Sequence, residues 1–109
     1  MKTGSIPGGV ESKGRVGNAP LIYASSYGLK EVVAALIEAG ADINVEGNEG
    51  VTPLFVASQD GHLEVVKELL RGGADPTLAA DNGATALWGA RHFGHTRIAQ
   101  LLREHGATG

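Results

Sequence analysis

Residues 50–75 read G-V-T-P-L-F-V-A-S-Q-D-G-H-L-E-V-V-K-E-L-L-R-G-G-A-D, the clearest of three copies of one unit. Its Pro53, Leu54 and Ala57 recur upstream as Pro20, Leu21 and Ala24 and downstream as Ala86, Leu87 and Ala90, at a step of 33 residues. The same step relates Gly28, Gly61 and Gly94, then Gly40, Gly73 and Gly106, then Ala41, Ala74 and Ala107. A fixed period of this size predicts stacked repeats, each too small to bury a core alone. Within the unit, Thr52 is placed to cap a helix and Pro53 suits its first turn. That helix is expected to run through Asp60 and to stop at Gly61, where a left-handed residue costs glycine little. A second helix is expected over 63–71, with Leu63, Val66, Leu69 and Leu70 at helical spacing and Gly72-Gly73 as its stop. A polar, turn-rich connection over 76–83 leads to the next copy.

These residues closely resemble the ankyrin repeat: T-P-L at 52–54, G-H-L-E-V-V at 61–66, L-L at 69–70 and G-A-D at 73–75. The resemblance covers roughly residues 14–107 and implies an all-α ankyrin-repeat solenoid, helix-turn-helix units joined by β-turn or hairpin-like loops. Residues 1–13, rich in Gly and Ser, are expected to be a flexible N-terminal segment. The repeat domain is expected over 14–109, divided at about 14–46, 47–79 and 80–109.

The first and third copies depart from the pattern. Ala19 stands where the capping threonine should be, with Asn18 as the substitute cap, and helices are expected over 20–27 and 30–39. The third copy keeps Thr85 but has Ala86 for proline, and its helices are expected over 86–93 and 96–104. Gly89 weakens the first of these by roughly 1 kcal/mol relative to alanine. Gly47 and Ala80 stand where the family often opens its turn with aspartate. The second helix of the last copy is more polar than that of the first, which suits a solvated outer face. The outer face of the first repeat is expected to be apolar, either exposed or covered by residues 1–13.

Composition narrows the function classes. The chain has 109 residues, no cysteine and a net charge of −3. Disulfides and thiolate metal sites are therefore excluded, and a reducing cytoplasmic location is the expectation. The net charge argues against general binding to nucleic acid or to an anionic membrane. No apolar run reaches the roughly 18 residues of a membrane span. The charge is uneven: −2 over 14–46, −3 over 47–79 and +1 over 80–109.

No catalytic constellation is present. Residues 8–17 lack the Lys-Ser/Thr ending of a phosphate loop, and no G-x-S-x-G occurs. Ser25, Ser26 and Ser58 read as small residues that let helices pack closely. His92 and His95 have metal-pair spacing, but Gly94 separates them and no carboxylate completes a site. No cofactor or metal is expected. The family's T-P-L-H histidine is replaced in every copy, by Ile22, Phe55 and Trp88. That leaves this column either to fill the stack or to offer an aromatic anchor. His62 and His95 match the family's Gly-His, whose side chain serves the turn between helices.

The family resemblance implies non-enzymatic protein–protein interaction through a concave face made of turn tips and first helices. Carried over by position, the tips are Arg15, Val16 and Asn18, then Asn48, Glu49 and Val51, then Asp81, Asn82 and Ala84. The exposed helix positions are Ser26 and Tyr27, Gln59 and Asp60, and His92 and Phe93. Tyr23 and Trp88 join them as aromatics that would anchor a partner. Packing of Tyr27 and Phe93 against a neighbouring repeat is the alternative. The expected partner is another protein, with the chain a monomer or a weak homodimer through an uncapped end. The other readings are a model scaffold without a natural partner, against which the irregular departures argue, and a regulatory or effector fragment of a larger protein.

Overall fold

The threonine caps expected from the sequence are formed. Thr52 Oγ1 accepts from the Phe55 N–H and Thr85 Oγ1 from the Trp88 N–H, both at 3.1 Å, satisfying one free donor at each helix start. The computed structural model describes residues 18–108. Arg15, Val16 and the segment expected to be flexible lie outside the described residues, and nothing in the structure bears on them. Among the described residues there are six helices: α1 (Asn18–Ser26), α2 (Lys30–Glu38), α3 (Pro53–Gln59), α4 (Leu63–Arg71), α5 (Ala86–His92) and α6 (Thr96–Glu104). Helix α1 begins two residues before Pro20. Ala19 stands in the threonine position, and Asn18 lies in the first turn of the helix rather than in a turn tip. Proline in the first turn removes an N–H that has no intrahelical partner anyway.

Each helix pair closes by the same device. Gly28, Gly61 and Gly94 take left-handed φ of 73°, 81° and 80°. This lets the N–H three residues past the helix turn back onto a carbonyl of its last turn, as His62 N–H does to Ala57 at 2.9 Å and His95 N–H to Ala90 at 2.7 Å.

The first helices α1, α3 and α5 pack side by side, the second helices α2, α4 and α6 form the next layer, and each pair is also packed within its own repeat. The core lies between the layers. Leu21, Leu54 and Leu87 recur at one position and are almost wholly buried, as are Leu69 and Leu102 at another. Each such side chain contributes about 1.5–3 kcal/mol by leaving water. Ala24, Ala57 and Ala90 let the helices approach. Gly89 faces Gln59 across the α3–α5 contact, and a Cβ there would lie 3.5 Å from the Gln59 Cβ, an ordinary contact.

The loops are hairpin-like, with Ala79 and Thr85 forming an antiparallel bridge. Gly47 takes the family's aspartate position because Ile22 leans over it; a Cβ would lie 2.8 Å from Ile22 Cδ1. In the connection after α4, the Thr77 hydroxyl (2.6 Å) and N–H (2.9 Å) both donate to Asp75 and hold its carboxyl below the ordinary carboxylate range. Asp75 N–H in turn donates to Asn44 Oδ1 of the preceding repeat at 2.9 Å.

The histidines tie neighbouring repeats together, a role the sequence assigned to the local turn. His62 and His95 precede α4 and α6, but neither side chain caps its own helix. Each reaches back one repeat: His62 Nε2–H donates to the Ser26 carbonyl at 2.8 Å and His95 Nε2–H to the Gln59 carbonyl at 3.0 Å. A carbonyl can only accept, so Nε2 carries the proton. Apolar packing is therefore not alone in joining the repeats, although the T-P-L-H histidine is absent.

Candidate functional site

The turn tips and the ends of the first helices form one continuous recessed surface. Its larger groove lies between the second and third repeats and measures about 450 Å³. Phe55 and Val56 of α3 form part of its floor, and Phe55 is buried because its column packs between neighbouring first helices. Trp88, in the same column one repeat on, has no following repeat over it among the described residues and stays 46% exposed. The two alternatives for this column thus divide: Ile22 and Phe55 pack, whereas Trp88 faces out. His92 lies against Trp88, ring centroids 4.5 Å apart and planes 11° apart, and meets Phe93 edge-on at 4.8 Å. Phe93 follows α5 as its capping residue, one position beyond the helix, and is 53% exposed.

Glu49, Asp81 and Asn82 form the tip side of this groove, with Gln59 at the opposite wall. The two tips are fixed to each other, since Asp81 N–H donates to the Glu49 carbonyl at 2.9 Å. They reach this arrangement differently. Glu49 and Gly50, the central pair of the Asn48–Val51 turn, both have positive φ, 61° and 76°. That pattern belongs to a type I′ turn, in which Gly, Asn and Asp are favoured and glutamate is not. In the corresponding turn of the third repeat only Gly83 takes positive φ (88°), and Asn82 Oδ1 accepts from the Ala84 N–H at 3.0 Å.

A second recess of about 410 Å³ lies between the first and second repeats, lined by Ile22, Tyr23, Gly47, Asn48 and Val51. Val51 borders both recesses. Tyr27 stacks on Tyr23 one helical turn away, centroids 6.4 Å apart and planes 3° apart, and the two are 66% and 67% exposed. Neither Tyr27 nor Phe93 is buried against a neighbouring repeat. Asp60 is exposed at the end of α3 and borders neither recess.

Of the residues singled out in the sequence, nine line the larger groove: Glu49, Val51, Phe55, Gln59, Asp81, Asn82, Trp88, His92 and Phe93. Tyr23 and Asn48 line the smaller recess. Arg15 lies outside the described residues. Val51, the ridge between the recesses, and Phe55, a buried floor, gain their significance from three-dimensional placement. The sequence named Val51 as a turn tip and Phe55 as a replacement for the family's histidine, without showing these placements.

The chemistry on offer is that of a surface. Among the described residues no group of three His, Cys, Asp or Glu side chains is placed to hold a metal ion, and no helix is long and apolar enough to cross a membrane. A family model of ankyrin repeats matches in three copies over residues 21–108. None of the curated proteins compared matches the chain.

Proposed function

Because the chain belongs to the ankyrin repeat family, whose members are generally protein–protein interaction modules, we propose that it is a non-enzymatic binding module that takes its partner on the concave face. The observation that carries this reading is the exposure of four large aromatic side chains: Tyr23, Trp88 and Phe93 line the two adjoining recesses, and Tyr27 stacks on Tyr23. Left in water, each forgoes the burial that makes aromatic residues the strongest interface anchors. Polar and acidic tip residues surround them, the arrangement of an apolar centre with a wet rim.

The opposite side supports the assignment by contrast. The surface of the second helix of the middle repeat carries Glu64, Lys67 and Arg71, paired in part as ion bridges such as Arg71–Glu68 at 2.8 Å. Such a face is already well solvated. A protein partner isolated by cross-linking is expected to bind Tyr27→Ala and Phe93→Ala at least about tenfold more weakly, and Glu64→Ala unchanged. Equal losses on both sides, or losses confined to the second helices, would overturn the concave-face reading.

A further inference from the structure

We propose that the groove between the second and third repeats selects a cationic partner segment, a lysine or arginine next to an apolar residue. The proposal rests on the concave-face reading and deepens it. The groove lining contains two carboxylates, Glu49 and Asp81, and no lysine or arginine. Both are exposed at the tips and line the same groove as Phe55, Trp88 and Phe93. The backbone bond from Asp81 N–H to the Glu49 carbonyl joins the two tips, so the two residues that carry the carboxylates stay side by side.

An anionic segment would meet two like charges there. A neutral apolar segment would bury the aromatics but leave both carboxylates next to low-dielectric surface without a partner, which costs free energy. A cationic side chain removes that cost, and its aliphatic stem can lie along Trp88 or Phe93 while its head reaches the tips. Exposed aromatic rings also attract a cation over their faces.

The neighbouring recess extends the prediction. Tyr23 lies on α1 with Tyr27 just past its end, and Trp88 lies on α5, two helix steps away, with Gln59 of α3 between. At about 8–10 Å per step the aromatic anchors stand roughly 16–20 Å apart. An extended segment covers that span in about five or six residues. The expected ligand therefore carries apolar residues about five or six positions apart, with the basic residue between them and close to the one that meets Trp88.

Trp88 is the single tryptophan of the chain, so its emission reports on the groove directly. A displayed random-peptide library is selected on the full chain, and the enriched peptides are titrated as synthetic probes while Trp88 fluorescence is followed. The expected result is enrichment of lysine or arginine beside apolar residues, with Trp88 emission shifting on binding. Binding should weaken at least about fivefold in Glu49→Gln or Asp81→Asn, and should fall with added salt as exposed charges are screened. Circular dichroism of both variants confirms that they remain folded. Selected peptides that shift Trp88 emission without a basic preference overturn the cationic inference and leave the concave-face reading standing. Selected peptides that leave Trp88 unchanged and tolerate Phe93→Ala overturn both. A library that yields no binder overturns the cationic-segment proposal.

Discussion

The junction between the second and third repeats and the outward side of the third repeat are built from the same positions, and three of them show what separates a packed face from an open one. Ser58, buried within the junction, becomes the exposed Arg91. Leu70, also buried, becomes the exposed Arg103. Gly61 has the His95 ring packed against it, where a Cβ would lie 2.6 Å from Cε1, whereas a Cβ on Gly94 would meet nothing within 4 Å. The backbone is the same in both places, with φ of 81° and 80° at the two glycines. A repeat's own fold is therefore indifferent to its neighbour. Whether a face stacks or meets water is decided by a few side chains that take no part in forming the helices. At the other end the outcome is different: Leu29 and Val32 are 48% and 45% exposed where their counterparts His95 and Ile98 are packed against a preceding repeat.

The sharpest way to break this comparison is the pair Gly61→Ala and Gly94→Ala. Both put alanine in the left-handed region, at about 1–2 kcal/mol. Gly61→Ala must also displace the imidazole, which adds about 1–3 kcal/mol of overpacking. Urea unfolding should find Gly61→Ala the more damaging by that margin. Equal costs would mean that the histidine moves aside freely and joins nothing.

His95→Ala comes next. It removes the bond to Gln59 and leaves that carbonyl short of a partner, a loss of about 1–3 kcal/mol. In the His95→Ala background the extra cost of Gly61→Ala should disappear, because the atom it collides with is gone. Persistence of the full cost would place the clash elsewhere.

The smallest effect is a gain. The Ser25 and Ser58 hydroxyls are fully buried and have no hydrogen-bond partner among the described residues. Ser58→Ala should stabilise the protein by about 1 kcal/mol, read as a higher urea midpoint. A destabilised variant would show that the hydroxyl is bonded after all.

The repeat period made most of the fold legible before any coordinates. The expected second helix of the middle repeat coincides with Leu63–Arg71, that of the last with Thr96–Glu104, and both threonine caps hold. Those features depend on contacts between residues a few positions apart, which spacing reports well. What sequence left hidden depends on other scales. The imidazole links run between residues 36 apart, so Gly-His looked like a local turn feature. The left-handed Glu49 was invisible because glutamate carries no preference for that conformation. Exposure in the candidate site was legible by position for Tyr27 and Phe93. It was not for Trp88, whose column is buried in one repeat and open in the next.

The direction of the imidazole links has a consequence for a chain made on a ribosome. Each link runs from a later histidine to an earlier carbonyl, so a repeat is completed by material that has not yet been synthesised when its own helices emerge. The 36 residues between Ser26 and His62 take about 2–7 s to translate. During that interval the first helix pair must hold its shape by its own caps and packing. The arrival of each Gly-His then fastens the repeat before it, so the stack sets in the order in which it is born.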